Sequence, residues 1–224
     1  LRQLSQHHHL TLFMTVLAGW ALLLSRLSGE QEVVIGVPFA NRGSLETEPL
    51  IGFFANAVPV RIRVDPQHSV AQLLEQVGET VLAVQQHQHI PQLQIVQLVQ
   101  PQRSRSYNAL FQAALAWQGG AAPVPNLPGL QAAALPDLED GSAKFDITLS
   151  LHDGGDALGG WLEYASALFD AATVRRFALY LRTLLDGMAS DAAQASGRVP
   201  LLTAAQQTAL LEQSRTPALA AAEV

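Results

Sequence analysis

Between Thr11 and Gly29 the apolar residues Leu12, Phe13, Val16, Leu17, Trp20, Leu23, Leu24 and Leu27 recur at steps of three and four, which predicts a helix with a wide buried face. Thr11 is placed to cap its start. Next, EVVIGVPFANRG (32–43) is almost uniformly apolar and predicts a short, fully buried strand ending at Pro38, with Asn41, Arg42 and Gly43 turning the chain. The period then falls to two. Val58, Val60, Ile62 and Val64 lie on one side and Pro59, Arg61 and Arg63 on the other, the pattern of a half-buried strand over 57–64. Ser69 and Gln72 form a capping-box pattern ahead of a second amphipathic helix, in which Val70, Leu73, Leu74, Val77, Val81 and Val84 keep helical spacing to about Gln86. Pro91 opens a short helix through Val99, and ALFQAALAW (109–117) is strand-like.

Further on, Phe145, Ile147, Leu149 and Leu151 alternate with Lys144, Asp146, Thr148 and Ser150. An Asp-Gly-Gly-Asp turn and a return strand complete a hairpin by residue 165. Asp170 caps a last long helix with Val174, Phe177, Leu181, Leu184, Leu185 and Met188 on its apolar face. Helices and strands intermix without an internal repeat, so the expected class is α/β, a mixed β-sheet flanked by helices. Residues 119–143 concentrate proline and glycine and predict a long excursion rather than a packed element. From Ala189 the chain is alanine-rich and weakly patterned. The expected organisation is therefore one unit over 1–188, followed by a linker over 189–224 with a short helix near 203–212.

Composition narrows the function classes. With 224 residues, 49% hydrophobic and 14% charged, the chain can bury one good core or two small ones. Its net charge is −6 and its 13 Lys and Arg are scattered, so it has no basic stripe for phosphates, and nucleic acid and anionic membrane are poor partners. The absence of cysteine excludes disulfides, thiolate metal sites and a cysteine nucleophile, and fits a cytoplasmic setting. The longest apolar run, 10–24, is shorter than the ~18–20 residues a bilayer span needs, and Thr11, Thr15 and Gly19 interrupt it. The sequence begins at Leu1 without an initiator Met or a signal-peptide pattern, which suggests a fragment of something longer.

Candidate chemistry is sparse. His7, His8 and His9 are adjacent, so their side chains diverge on any regular element, and a polar connection between elements is the simpler reading. His87 and His89 sit at a helix end, where His87 suits C-terminal capping; His68 and His152 stand alone. Asp146 and Glu163 could face each other across the hairpin as an ordinary outer-face pair. There is no phosphate loop, nucleophile elbow or spaced carboxylate pair. RGSLETEP (42–49) is a polar loop. One stretch stands apart: IGFFANAVPVRI (51–62) places Gly52, Phe53, Phe54 and Asn56 at a strand entrance. A glycine there lets another backbone or ligand come close, and a buried amide needs hydrogen-bond partners.

Several stretches, in this order, give the chain a resemblance to a known family: TLFMTVLAGWALLLSRLSGEQEVVIGVPFANR, IGFFANAVPVRI, HQHIPQLQIVQLV, QRSRSYNALFQ, KFDITLSL, LEYASALFDAATVRRF and VPLLTAAQQTALL. It resembles the C-terminal lobe of nonribosomal peptide synthetase condensation domains, from Leu1 to about Leu211. The resemblance implies a chloramphenicol-acetyltransferase-like lobe, one of two that form a V around a tunnel. Donor and acceptor peptidyl carrier proteins would insert phosphopantetheine-tethered substrates from opposite ends, and the acceptor amine would attack the donor thioester to make an amide. No cofactor is expected to be bound directly. The implied partners are the N-terminal lobe of the same domain, the two carrier proteins and an adjacent adenylation domain, toward which VPLLTAAQQTALL looks like a linker.

The family's catalytic signature, HHxxxDG, belongs to the other lobe; after His8 and His9 its Asp and Gly positions hold Phe13 and Met14. Departures include His89, Gln92 and Leu93 where the family usually has Asp and Phe-Glu, and Arg103-Ser104 and Asn108-Ala109 where it has Arg-Asp and Asn-Pro. They leave the subtype open. By the same resemblance, Gly52, Phe53, Phe54 and Asn56 are substrate-tunnel candidates: glycine admitting a pantetheine arm, aromatics as wall, and an amide able to hold a substrate oxygen. The alternative for Asn56 is a strand-end cap. The alternative for the whole chain is a noncatalytic carrier-docking or gating module; a stand-alone acyltransferase would need a histidine base that no motif here supplies.

Overall fold

The computed structural model describes residues 1–43, 45–102, 104, 107–119, 128–130 and 141–214. A short helix α1 (Arg2–His7) turns into α2 (Leu12–Ser28). Thr11 Oγ1 accepts from the Met14 N–H at 3.2 Å, and Gly29, at φ 78°, ends the helix in the left-handed region that glycine tolerates. Strand β1 (Glu32–Phe39) pairs antiparallel with β2 (Asn56–Arg63) along its whole length. Helix α3 (Val70–Gln86) starts with the expected reciprocal capping box of Ser69 and Gln72. Then come α4 (Gln92–Val99), β3 (Ala113–Gln118), β4 (Ile147–Asp153), β5 (Leu158–Tyr164), α5 (Ala171–Ser190) and α6 (Ala204–Ser214). Asp170 Oδ1 accepts from the Thr173 N–H at 2.8 Å, and that bond to the helix N-terminus holds its carboxyl below the ordinary value.

The strands form one sheet in the order β2-β1-β3-β4-β5, parallel at β1/β3 and β3/β4 and antiparallel at its two outer pairs. A parallel neighbour needs a long crossover, and between the parallel strands β1 and β3 the chain passes through β2, α3 and α4. The expected Pro/Gly excursion joins β3 to β4; apart from residues 119, 128–130 and 141–143 it falls outside the described residues. Strand β1 runs one residue past Pro38. It pairs with β3 only at Ile35 and Gly36, so the proline sits where β1 has a single neighbour.

One face of the sheet carries the core. Leu17, Trp20, Leu22 and Leu23 of α2 are fully buried, in one cluster with Ile35, Ile62, Leu74, Leu115, Leu149 and Leu184 from the sheet, α3 and α5. Helices α2 and α5 approach so closely that a Cβ on Gly19 would lie 2.4 Å from Leu185 Cδ2. On the other face the ring of Phe111 lies on Gly36, where a Cβ would meet it at 2.0 Å, and Phe145 packs at 5.0 Å from that ring. This explains why the strand expected from residue 109 begins only at Ala113: Phe111 leaves the ladder to cover Gly36.

Two other expectations are adjusted. The register pairs Glu163 with Thr148, and the Asp146 carbonyl accepts from Ala165, so Asp146 and Glu163 are diagonal neighbours rather than a facing pair. The first part of the expected linker is packed. Ser196 and Val199 are fully buried, Ser196 Oγ donates to the Asp65 carbonyl at 2.8 Å, and the N–H groups of Val70 and Ala71 donate to the carbonyls of Gln194 and Ala192. This stretch closes the N-terminal end of α3, and that long-range contact outweighs its weak local pattern.

Candidate functional site

The entrance to β2 is held by two polar side chains. Asn56, opposite Phe39 in the ladder, donates both N–H bonds of its amide to the turn between α3 and α4: 2.9 Å to the Gln88 carbonyl and 2.7 Å to that of Ile90. The amide therefore fastens the turn to the strand. Both amide protons are thus donated to main-chain carbonyls of this turn.

The second side chain is Arg42. Its Nη1 donates to the carbonyls of Thr47, of Leu50 at 2.8 Å and of Glu48 at 3.4 Å, and Nη2 donates to Gly52 O at 3.2 Å. The same guanidinium lies 4.5 Å from the centre of the Phe54 ring. A loop without regular structure has carbonyls that need partners, and a planar guanidinium with five N–H donors can gather several of them. Gly52 belongs to this assembly, since a Cβ there would lie 3.1 Å from Phe54 Cε2.

Holding the loop in this way turns apolar side chains outward. Ile51 and Phe53 are 104% and 93% exposed, beside a half-buried Phe54. Helix α4, which follows the turn that Asn56 holds, buries none of its residues, and Leu93, Leu98 and Val99 are exposed on it. The four candidates Gly52, Phe53, Phe54 and Asn56 thus lie together, with the aromatics and α4 presenting apolar surface and the amide facing inward. Sequence reasoning missed Arg42, which it placed only in a turn. The available signal was a lone arginine between a strand and an apolar run, in a loop otherwise carrying Glu46 and Glu48.

The remaining candidates stay apart from this entrance. The rings of His7 and His8 meet edge to face at 5.1 Å where α1 gives way to α2. His87 caps α3, its Nδ1 3.0 Å from the Ala83 carbonyl. No grouping of His, Asp and Glu among the described residues could hold a metal ion, and no described helix is long and apolar enough to cross a membrane. An apolar cavity of about 560 Å³ lies between β4, β5 and α5, lined by Leu151, Leu158, Leu162 and Leu181, on the side of the sheet remote from β2.

The model of the condensation domain family matches residues 1–211 of the 224. The chain belongs to the condensation-domain family. It is 44% identical over 211 residues to malpinin synthetase of Mortierella alpina, a match that covers 94% of this chain and 3% of that protein. Among solved structures it is similar to a four-domain nonribosomal peptide synthetase, with a TM-score of 0.83 at 24% identity, covering 92% of this chain and 17% of the other. It is also similar to the X-domain in a complex with OxyB from teicoplanin biosynthesis, with a TM-score of 0.78 at 26% identity, covering 89% of this chain and 45% of that one. This condensation-domain chain therefore spans between 3% and 19% of three curated synthetases it matches and a little under half of an X-domain. The expected chloramphenicol-acetyltransferase-like architecture holds, as a five-stranded mixed sheet flanked by helices.

Proposed function

We propose that this chain is the C-terminal lobe of an amide-forming condensation domain, and that Gly52, Phe53 and Phe54, fastened by Asn56, form part of one wall of its substrate tunnel. The observation that carries the reading is the strand entrance: an apolar surface held open by polar clamps in a chain whose family joins carrier-bound substrates. A donor acyl or peptidyl thioester and an acceptor aminoacyl group, each on the phosphopantetheine arm of a carrier protein, meet in the tunnel. The acceptor nitrogen bonds to the thioester carbonyl carbon, the carbon–sulfur bond breaks, and the donor thiol leaves as the amine gives up a proton. The N-terminal lobe supplies HHxxxDG, and an adenylation domain follows the tail.

The alternative, a noncatalytic docking or gating module, is separated from this reading by its products. The test incubates loaded donor and acceptor carriers with this chain alone and with the same chain joined to an N-terminal lobe, following the product by mass spectrometry. Loss of a positioned acid–base group forfeits roughly 10²–10⁴ in rate, and loss of one tunnel wall removes substrate orientation as well. Product should form with the two-lobe protein and not with the chain alone. Comparable turnover by the chain alone would overturn the proposal, and carrier binding without product from the two-lobe protein would favour the docking module.

A further inference from the structure

We infer that Arg42 is a positioning residue for condensation: its guanidinium shapes the tunnel wall by clamping the loop before β2, and it acts through geometry rather than through its charge. The inference rests on the proposed function. Its physical basis is the number and direction of the contacts. One side chain gathers the carbonyls of Thr47, Glu48, Leu50 and Gly52 and stacks on the Phe54 ring, so the path of residues 47–54 is fixed from a single point. An unclamped loop of this composition would lower its free energy by folding Ile51 and Phe53 inward, since both are almost fully exposed. The clamp opposes that collapse. Gly52 approaches the Phe54 ring, and Asn56 independently fastens the far end of the segment to the α3–α4 turn. The aromatic wall is therefore set before any substrate arrives, the condition under which orientation contributes most to rate.

Charge and clamp make different predictions for lysine. An ammonium keeps the positive charge but cannot reach four carbonyls from one plane or stack flat on a ring. If Arg42 served mainly to attract an acidic carrier protein, Arg42→Lys would behave like wild type and Arg42→Gln would not, and the loss would appear in the KM for carrier. If Arg42 is a clamp, both variants lose.

The experiment uses the two-lobe protein with loaded carriers. Single-turnover condensation rates at saturating carrier, denaturant midpoints and hydrogen exchange of residues 45–54 are measured for wild type, Arg42→Lys and Arg42→Gln. We expect both variants to remain folded, to exchange faster over this loop, and to lose about ten- to a hundred-fold in single-turnover rate. Near-wild-type rate in Arg42→Lys, or a loss confined to KM, would overturn the inference, as would unchanged loop exchange. Product from wild type with unchanged rates in both variants would sink the role of Arg42 alone. Absence of product from wild type would remove the functional reading and this role with it.

Discussion

Helices α2 and α4 are both rich in apolar residues, yet α2 buries eleven of its residues and α4 buries none. In α2 the apolar side chains find α3, α5 and the sheet within the same chain. In α4, Leu93, Leu98 and Val99 remain exposed, and the helix has only eight residues. Isolated helices shorter than ~12–15 residues are marginal in water, so its support comes from its ends: the preceding turn is fastened by Asn56, and Gln100 terminates it in the left-handed conformation. An apolar period therefore says that a surface is suited to being covered, without saying by what. The core of this chain is covered from within. The strand entrance and α4 form a face that, on the proposed function, is covered by other parts of a larger assembly.

The same substitution made in the two helices measures this difference. Leu17 is fully buried, so Leu17→Ala should destabilise the chain by about 2–5 kcal/mol, through lost transfer energy and the cavity left behind. Leu98 is 75% exposed, so Leu98→Ala should change stability by no more than about 0.5 kcal/mol. Denaturant midpoints at constant slope report both. Equal losses would break the comparison, because α4 would then be packed as a core helix. A small loss in the chain alone that grows in the two-lobe protein would sharpen it.

Much of the fold was legible locally. Thr11, Ser69 and Asp170 cap helices where their hydroxyl or carboxylate chemistry predicts, and the alternation through Ile147, Leu149 and Leu151 gives the face that β4 turns to the core. Features set by long-range contact were not legible. Nothing in AALAW states that β3 lies between β1 and β4, and a phenylalanine written into a strand-like run gives no sign that it will leave the ladder to cover Gly36. Residues 191–199 look like a linker because their pattern is weak, but they pack on α3 through backbone hydrogen bonds, which sequence periodicity does not encode. The candidate site divides in the same way. Gly52, Phe53, Phe54 and Asn56 stand out as an unusual composition at a strand entrance. The partners of Asn56 lie more than thirty residues away, and Arg42 works by gathering carbonyls, groups that every residue carries.

Hydrogen exchange of the α4 amides, measured for this chain alone and for the two-lobe protein with donor and acceptor carriers present, reports whether the exposed face of α4 gains a partner. Local opening of a helix with no buried side chain should be frequent, whereas α2 should open only with the whole core. Residues 95–100 should exchange rapidly in the chain alone and become protected in the assembly, while residues 16–23 of α2 stay strongly protected in both. Equal exchange of α4 in the two samples would contradict this, because the exposed face would then have no partner in the assembly that is meant to cover it.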